Sequence, residues 1–159
     1  MKITLIAVGK IKERYFEDAI KEYSKRLSRY CRLEIIQVAD EKTPDGAGEA
    51  LENQIKEKEG RRILEQIREG SYVIALAVEG KQMDSLEFAA RMERLAVEGK
   101  SHLVLIIGGS LGLSKEVMKR ADLALSFSPM TFPHQLMRVI LLEQIYRSFR
   151  IRAGEPYHK

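Results

Sequence analysis

The side chains equipped for acid–base or nucleophilic chemistry gather in three stretches of this chain. HLVLIIGGSLGLSKEV, residues 102–117, runs an apolar segment into two glycines, turns through Ser110 and Gly112, and re-enters as a charged, helix-like segment. SFSPMTFPHQLMR, residues 126–138, sets two X-Pro bonds ahead of His134 and Arg138, and the C-terminal GEPYHK carries Tyr157 and His158. The glycine turn has three competing chemistries: a phosphate cradle, a nucleophile elbow, or a binding loop for some other ligand.

Spacing excludes the phosphate cradles. A dinucleotide fingerprint ending at Gly112 needs glycine at 107, which is Ile, and a Walker A loop needs Gly-Lys-Ser/Thr where Leu113-Ser114 stands. GGSLG does satisfy G-x-S-x-G between a strand and a helix, and Ser110, Asp122, His134 follow the hydrolase triad order. Against that small serine hydrolase reading, Asp122 opens a strand instead of following one, and the chain is short for a hydrolase. Paired glycines after a strand also serve simply to allow positive φ and close backbone approach. The second stretch adds a different prospect. Ser128-Pro129 and Phe132-Pro133 stiffen a loop whose freed N–H and C=O groups suit the edge of a flat heterocycle, with Met130 and Phe132 covering its faces. Two backbone-rich loops at neighbouring strand ends suit an adenine-containing ligand that needs no phosphate grip, and S-adenosyl-L-methionine is such a ligand.

The elements that must position these loops alternate. KITLIAV, RLEIIQV, YVIALAV, LVLII and DLALSF read as strands, the third apolar at every position, as when helices cover both faces of a parallel sheet. Between them Phe16, Ile20, Tyr23, Leu27 and Tyr30 mark one helical face, a charged helix spans roughly 49–69, and Asp84 caps SLEFAARMERLAVEG. In the charged helix, Glu52/Lys56 and Glu57/Arg61 stand at i,i+4 spacing and read as a solvated face. The class is α/β with a mainly parallel sheet, and ligands in such sheets bind beyond the carboxyl ends of strands, where the glycine turn falls. The last helix, PHQLMRVILLEQIYRSFRI, is apolar nearly all round before Glu143. One sheet covers only one side of such a helix, so a homodimer with this helix at the interface is expected.

Bulk composition bounds the rest. At 159 residues the expectation is one domain, 1–159, with a self-sufficient core. No apolar run is long enough to span a bilayer, and MKITLIAVGK reads as a first strand, so neither membrane nor signal peptide is expected. The single cysteine, Cys31, excludes an internal disulfide and a cysteine-rich metal site; no metal is expected, and the cytoplasm is the natural address. A net charge of +4 favours an acidic partner such as nucleic acid.

Taken together, MKITLIAVGK, ALAVEGK, IIGGSLGLS, SFSPMTFPHQLMRVILLEQIYR and GEPYHK resemble the small SPOUT-class methyltransferases of ribosomal RNA over the whole chain. The match is to the type that methylates N3 of a pseudouridine in the 23S rRNA of the large ribosomal subunit. The resemblance implies a C-terminal trefoil knot, S-adenosyl-L-methionine as cofactor, and the ribosome as partner. By motif match, the cofactor positions are Leu76, Gly108, Phe127, Ser128, Pro129, Met130, Thr131 and Phe132, and Ser110 becomes a turn residue.

The implied reaction has to deal with the imide proton on N3, because the neutral nitrogen is a poor nucleophile. His134 stands at the start of the last helix, where the positive dipole end keeps an imidazole neutral; a hydrogen-bonding role in the turn is the alternative. Arg138, one helical turn on, could stabilise charge on the uracil oxygen. The resemblance assigns function to Tyr157 and His158, on a tail that could reach a neighbouring protomer's pocket. Arg147, Arg150, Arg152 and Lys159 follow the buried part of the helix and are candidates to grip RNA phosphates. A non-catalytic dimeric ribosome-binding factor that has kept these loops remains the other reading.

Overall fold

Branched apolar runs build the sheet. In a computed structural model of the chain, which describes residues 1–159, these are β1 (Lys2–Val8), β2 (Arg32–Val38), β3 (Tyr72–Gln82), β4 (His102–Ile107) and β5 (Leu123–Ser126). All neighbours pair in parallel, in the order β2-β1-β4-β3-β5. The order is consistent with the knotted C-terminal path that the resemblance implies. Helices α1 (Arg14–Leu27), α2 (Glu49–Glu65), α3 (Ser85–Val97) and α4 (Lys115–Arg120) fill the crossovers, and α5 (His134–Arg152) follows the last strand.

Alternation along the central strands divides the core in two, since successive side chains point to opposite faces. Ile3, Leu5 and Ala7 of β1 and Leu103, Leu105 and Ile107 of β4 join α1, α3 and α5 in one cluster. Ile6, Val8, Val104 and Ile106 face the other way, onto Ile63 of α2 and Val117 of α4. Helices therefore cover both faces, as the fully apolar strands anticipate. Leu105 is fully buried at the middle of this arrangement; truncating it to Ala is expected to cost about 2–5 kcal/mol. Cys31 packs against the first cluster, and burial pushes its thiol up to about 11, which suits a hydrophobe and not a nucleophile.

Three expectations are modified. The third strand runs on to Gln82, with a register break between Leu76 and Lys81, so residues 77–80 leave the ladder with β5. A Cβ at Gly80 would come within 2.7 Å of the Ala124 carbonyl carbon, so only glycine permits that approach. The charged helix ends at Glu65, and its expected i,i+4 pairs do not form; Arg62 reaches instead to Glu41 at 2.6 Å. Helix α5 is not covered by the sheet alone. It lies against both α1 and α3, with Tyr23 and Tyr30 of the expected helical face meeting Tyr146 and Phe149. Besides Met137, which lines the cavity, and Ile151 near its end, Leu136, Val139 and Ile140 remain half-exposed as an apolar strip.

Candidate functional site

At the carboxyl ends of β3, β4 and β5 the connecting loops enclose a cavity of about 360 Å³, within the range typical of small-molecule sites. Leu76 and the bulge residues Ala77, Val78 and Glu79 form one wall, and Gly108 to Leu113 form the second. Phe127, Ser128, Met130, Thr131 and Phe132 form the third, and His134 and Met137 close the α5 side. Seven of the eight expected cofactor positions thus line one cavity. Pro129 does not; it sits exposed at the outside of the turn.

Each loop is held by its own main chain. Gly112, at φ +88°, returns its N–H to the Gly109 carbonyl at 3.1 Å. A Cβ on Gly108 would lie 2.9 Å from Leu113 Cδ2 and 3.0 Å from the Gly112 carbonyl, so a side chain there fills the space between the arms of the turn. In the second loop Ser126 Oγ donates to the Ser128 carbonyl at 3.1 Å, and Ser128 Oγ accepts from Met130 N at 3.0 Å. These are local side-chain turns that fix backbone without secondary structure.

The charged helix contributes what its sequence hides. Glu59 is 4% exposed; its carboxylate accepts from Glu41 N at 2.9 Å and would touch a Cβ placed on Gly109. Burial raises its pKa above the usual carboxylate value. The next residue, Gly60, leaves room for buried Ser114, which caps α4 through Val117 N. Lys56 reaches the cavity lining, where Glu79 is its counterpart of opposite charge. A charged residue at helical spacing reads as solvated unless something shows what covers it; the glycine immediately after Glu59 was the available signal.

His134 is half-buried, and its pKa is lowered first by burial and then by Arg138, with Asp40 opposing. The imidazole therefore stands neutral at physiological pH. Arg138 departs from its expected role. It is 1% exposed, donates from Nη2 to the Val8 and Gly9 carbonyls at 3.0 and 2.8 Å and from Nη1 to Gln37 Oε1 at 3.3 Å, and does not line the cavity. It clamps the start of α5 to the end of β1, and its guanidinium is not free for a uracil oxygen.

The tail folds back along the second half of α5. Tyr157 donates to Glu143 Oε1 at 3.1 Å and meets the Tyr146 ring edge-on at 5.0 Å; burial, then Glu143, raises its pKa. His158 Nδ1 lies 3.1 Å from Arg147 Nη1. The expected phosphate-gripping cluster is largely engaged within the chain. Arg147 pairs with Glu143 and Arg150 with Glu155, both at 2.6 Å, and Arg152 lies over the Phe149 ring at 5.0 Å. Lys159 alone of the four stays exposed without an ion-pair partner. Asp122 is engaged too, accepting from Val73 N at 2.8 Å at the amino ends of β3 and β5. Ser110 lies at the carboxyl ends, so the hydrolase triad is excluded. His102, bonded to Thr4 at 2.8 Å and Ser71 at 3.1 Å, is structural.

A family model described as "Predicted SPOUT methyltransferase" matches residues 1–158. Proteins named Ribosomal RNA large subunit methyltransferase H are similar over the full length of both chains, at 66% identity in Bifidobacterium adolescentis and 62% in Clostridium kluyveri. A solved structure of a probable methylase family protein from Haemophilus influenzae Rd KW20 matches with TM-score 0.52 at 13% identity, covering 99% of this chain and 70% of that one. At that identity the likeness speaks to the fold alone. Family model and relatives agree over essentially every residue: the chain belongs to the SPOUT methyltransferase family.

Proposed function

We propose that this protein is a single-domain, cytoplasmic methyltransferase that uses S-adenosyl-L-methionine to methylate N3 of a pseudouridine in the 23S rRNA of the large ribosomal subunit, and that it works as a homodimer. The observation that carries this reading is the cavity walled by the glycine turn, the β3 bulge and the 127–132 loop, in a chain 66% identical to a ribosomal RNA methyltransferase. The fit to the cofactor is physical. Main-chain groups of two stiff loops offer donors and acceptors for an adenine edge, Met130 and Phe132 offer apolar faces, and Lys56 with Glu79 suits a zwitterionic amino-acid end. When bound there, the cofactor supplies an activated methyl on sulfonium.

The chain's own residues then have two tasks. The first is alignment, since holding reactants in line is worth effective molarities of roughly 10⁵–10⁸ M. The second is the N3 proton. His134, neutral at the cavity wall, is able to accept one or to orient the base. Tyr157 and His158 are the other candidates, and geometry argues that they act across the dimer. His134 and Arg147, the residue beside His158, are thirteen positions apart on one helix, about 20 Å at 1.5 Å per residue. A tail docked so far from its own cavity serves the cavity of a second copy. The half-exposed strip Leu136, Val139 and Ile140 on α5 provides an apolar surface for that copy.

The test is transfer of tritiated methyl from labelled cofactor to ribosomes from cells lacking this protein. The reading expects label at one pseudouridine of 23S rRNA. Stoichiometric ribosome binding without label would favour the non-catalytic binding factor instead.

A further inference from the structure

We propose that the segment from Lys10 to Tyr15, between β1 and the first turn of α1, is the surface that receives the substrate RNA. Lys10, Lys12 and Arg14 hold the phosphates flanking the target nucleotide, and Tyr15 stacks on a neighbouring unpaired base. The proposal rests on the rRNA-methyltransferase reading above and adds the recognition element that reading lacks.

Three observations converge on this segment. Lys10, Lys12 and Arg14 are all exposed, and none forms an ion pair, although Glu13, Glu17 and Asp18 are close in sequence. Arg147 and Arg150 of α5, by contrast, are held by carboxylates of their own chain. Tyr15 leaves 65% of its surface in solvent and contacts another ring only at Phe16, tilted, at 4.6 Å. An exposed aromatic among unpaired cations matches how single-stranded RNA is held: cations track the backbone while a ring stacks on a base, a contact available only where bases are unstacked.

The segment's position relates this pairing to the chemistry. Gly9, at φ +90°, turns the chain so that a Cβ there would lie 3.9 Å from His134 Nε2. The cations therefore leave the sheet beside an imidazole that lines the cavity. Lys12 N donates to Gln135 Oε1 at 3.0 Å, tying the segment to the first turn of α5, and Arg138 holds the Val8 and Gly9 carbonyls beneath it. The main chain is fixed against the cavity while the charged ends stay free. Charge also selects the occupant. With Glu13 counted, residues 10–14 carry a net +2 (three cations less one anion), which suits RNA. The tail of a second copy fits less well, because its one carboxylate side chain, Glu155, is already paired with Arg150.

The experiment uses the full-length protein and ribosomes lacking the modification. The variants are K10Q/K12Q/R14Q together, Tyr15→Ala and Tyr15→Phe. Removing three phosphate contacts should cut the dependence of log affinity on log salt by about 2. Tyr15→Ala should raise KM for ribosomes about tenfold with kcat kept, and Tyr15→Phe should restore it. Cofactor affinity by calorimetry should not change in any of them. A triple variant with the wild-type salt slope, or Phe as poor as Ala at position 15, would overturn the assignment. So would variants that weaken the dimer in sedimentation, since the segment would then be an intersubunit contact. A wild-type protein that neither binds nor methylates ribosomes is a separate outcome, and overturns the rRNA reading together with this one.

Discussion

The two ends of α5 are built on opposite plans. At its start, glycine and proline loops leave a cavity whose walls bond mainly to themselves and whose lining is open to a ligand. Along its second half, Glu143, Arg147, Arg150, Glu155, Tyr146, Tyr157 and His158 engage one another through ion pairs, a ring contact and hydrogen bonds. One end is prepared for a small molecule within a single chain. The other holds Tyr157 and His158, proposed above for proton chemistry, outside the lining of their own chain's cavity. The tail contacts α5 at Glu143 and Arg147, nine and thirteen positions after His134, about 14 and 20 Å at 1.5 Å per residue, and the proposed division of the active site between copies rests on that separation.

The sharpest way to separate the ends is His158→Ala. Methyl transfer should fall by roughly 10²–10⁴, the usual worth of a positioned acid or base, while calorimetry finds cofactor affinity unchanged. Turnover near wild type would mean that the tail is not catalytic. The complementary lesion is Gly108→Val, which forces a side chain between the arms of the glycine turn. Cofactor affinity should drop about ten- to a hundredfold, from overpacking of about 1–3 kcal/mol. The tail contacts, followed by Tyr157 fluorescence quenching, should persist. If both variants lose cofactor binding equally, the two ends are not independent.

The smallest effect is on stability. His134 and His102 both have pKa values lowered by burial from the ordinary 6.5. The unfolded chain then binds more protons than the folded one once pH drops through 6.5, so stability is fully present above that value and declines below it. Glu59, its pKa raised from 4.5, works the other way, losing stability as pH rises above 4.5. Melting curves should show a lower Tm at pH 5.5 than at pH 7.5, and H102N/H134N should flatten the difference. An unchanged slope in that variant would assign the dependence to other groups.

Much of the cavity end was legible in the sequence, because strands apolar at every position fix a buried parallel sheet and a glycine turn after one of them falls at its carboxyl edge. Pro129 was the exception: its place in the loop motif did not reveal that it faces outward. The β3 bulge was hidden, since VEGKQ carries no signal that residues 77–80 leave the ladder while 81–82 rejoin it. Arg138 departs from its sequence expectation for a general reason. Its spacing from His134 puts both on one helical face, but only the fold reveals that the face at position 138 meets the end of β1 and not the cavity. Glu59 and the α5 arginines show the same limit from both sides. A charge is solvated, buried or paired according to partners distant in sequence, and local pattern does not name them.

The most direct test of the divided site is complementation within a dimer. Gly108→Val chains, with a spoiled cavity and sound tail, are co-expressed with His158→Ala chains, which have the reverse. If the tail serves the other copy's cavity, each mixed dimer holds one complete site, and activity should return to roughly a quarter of wild type for a random mixture of symmetric dimers. If the tail serves its own chain, no dimer holds a complete site. Activity that stays at the level of the two parents would contradict the account.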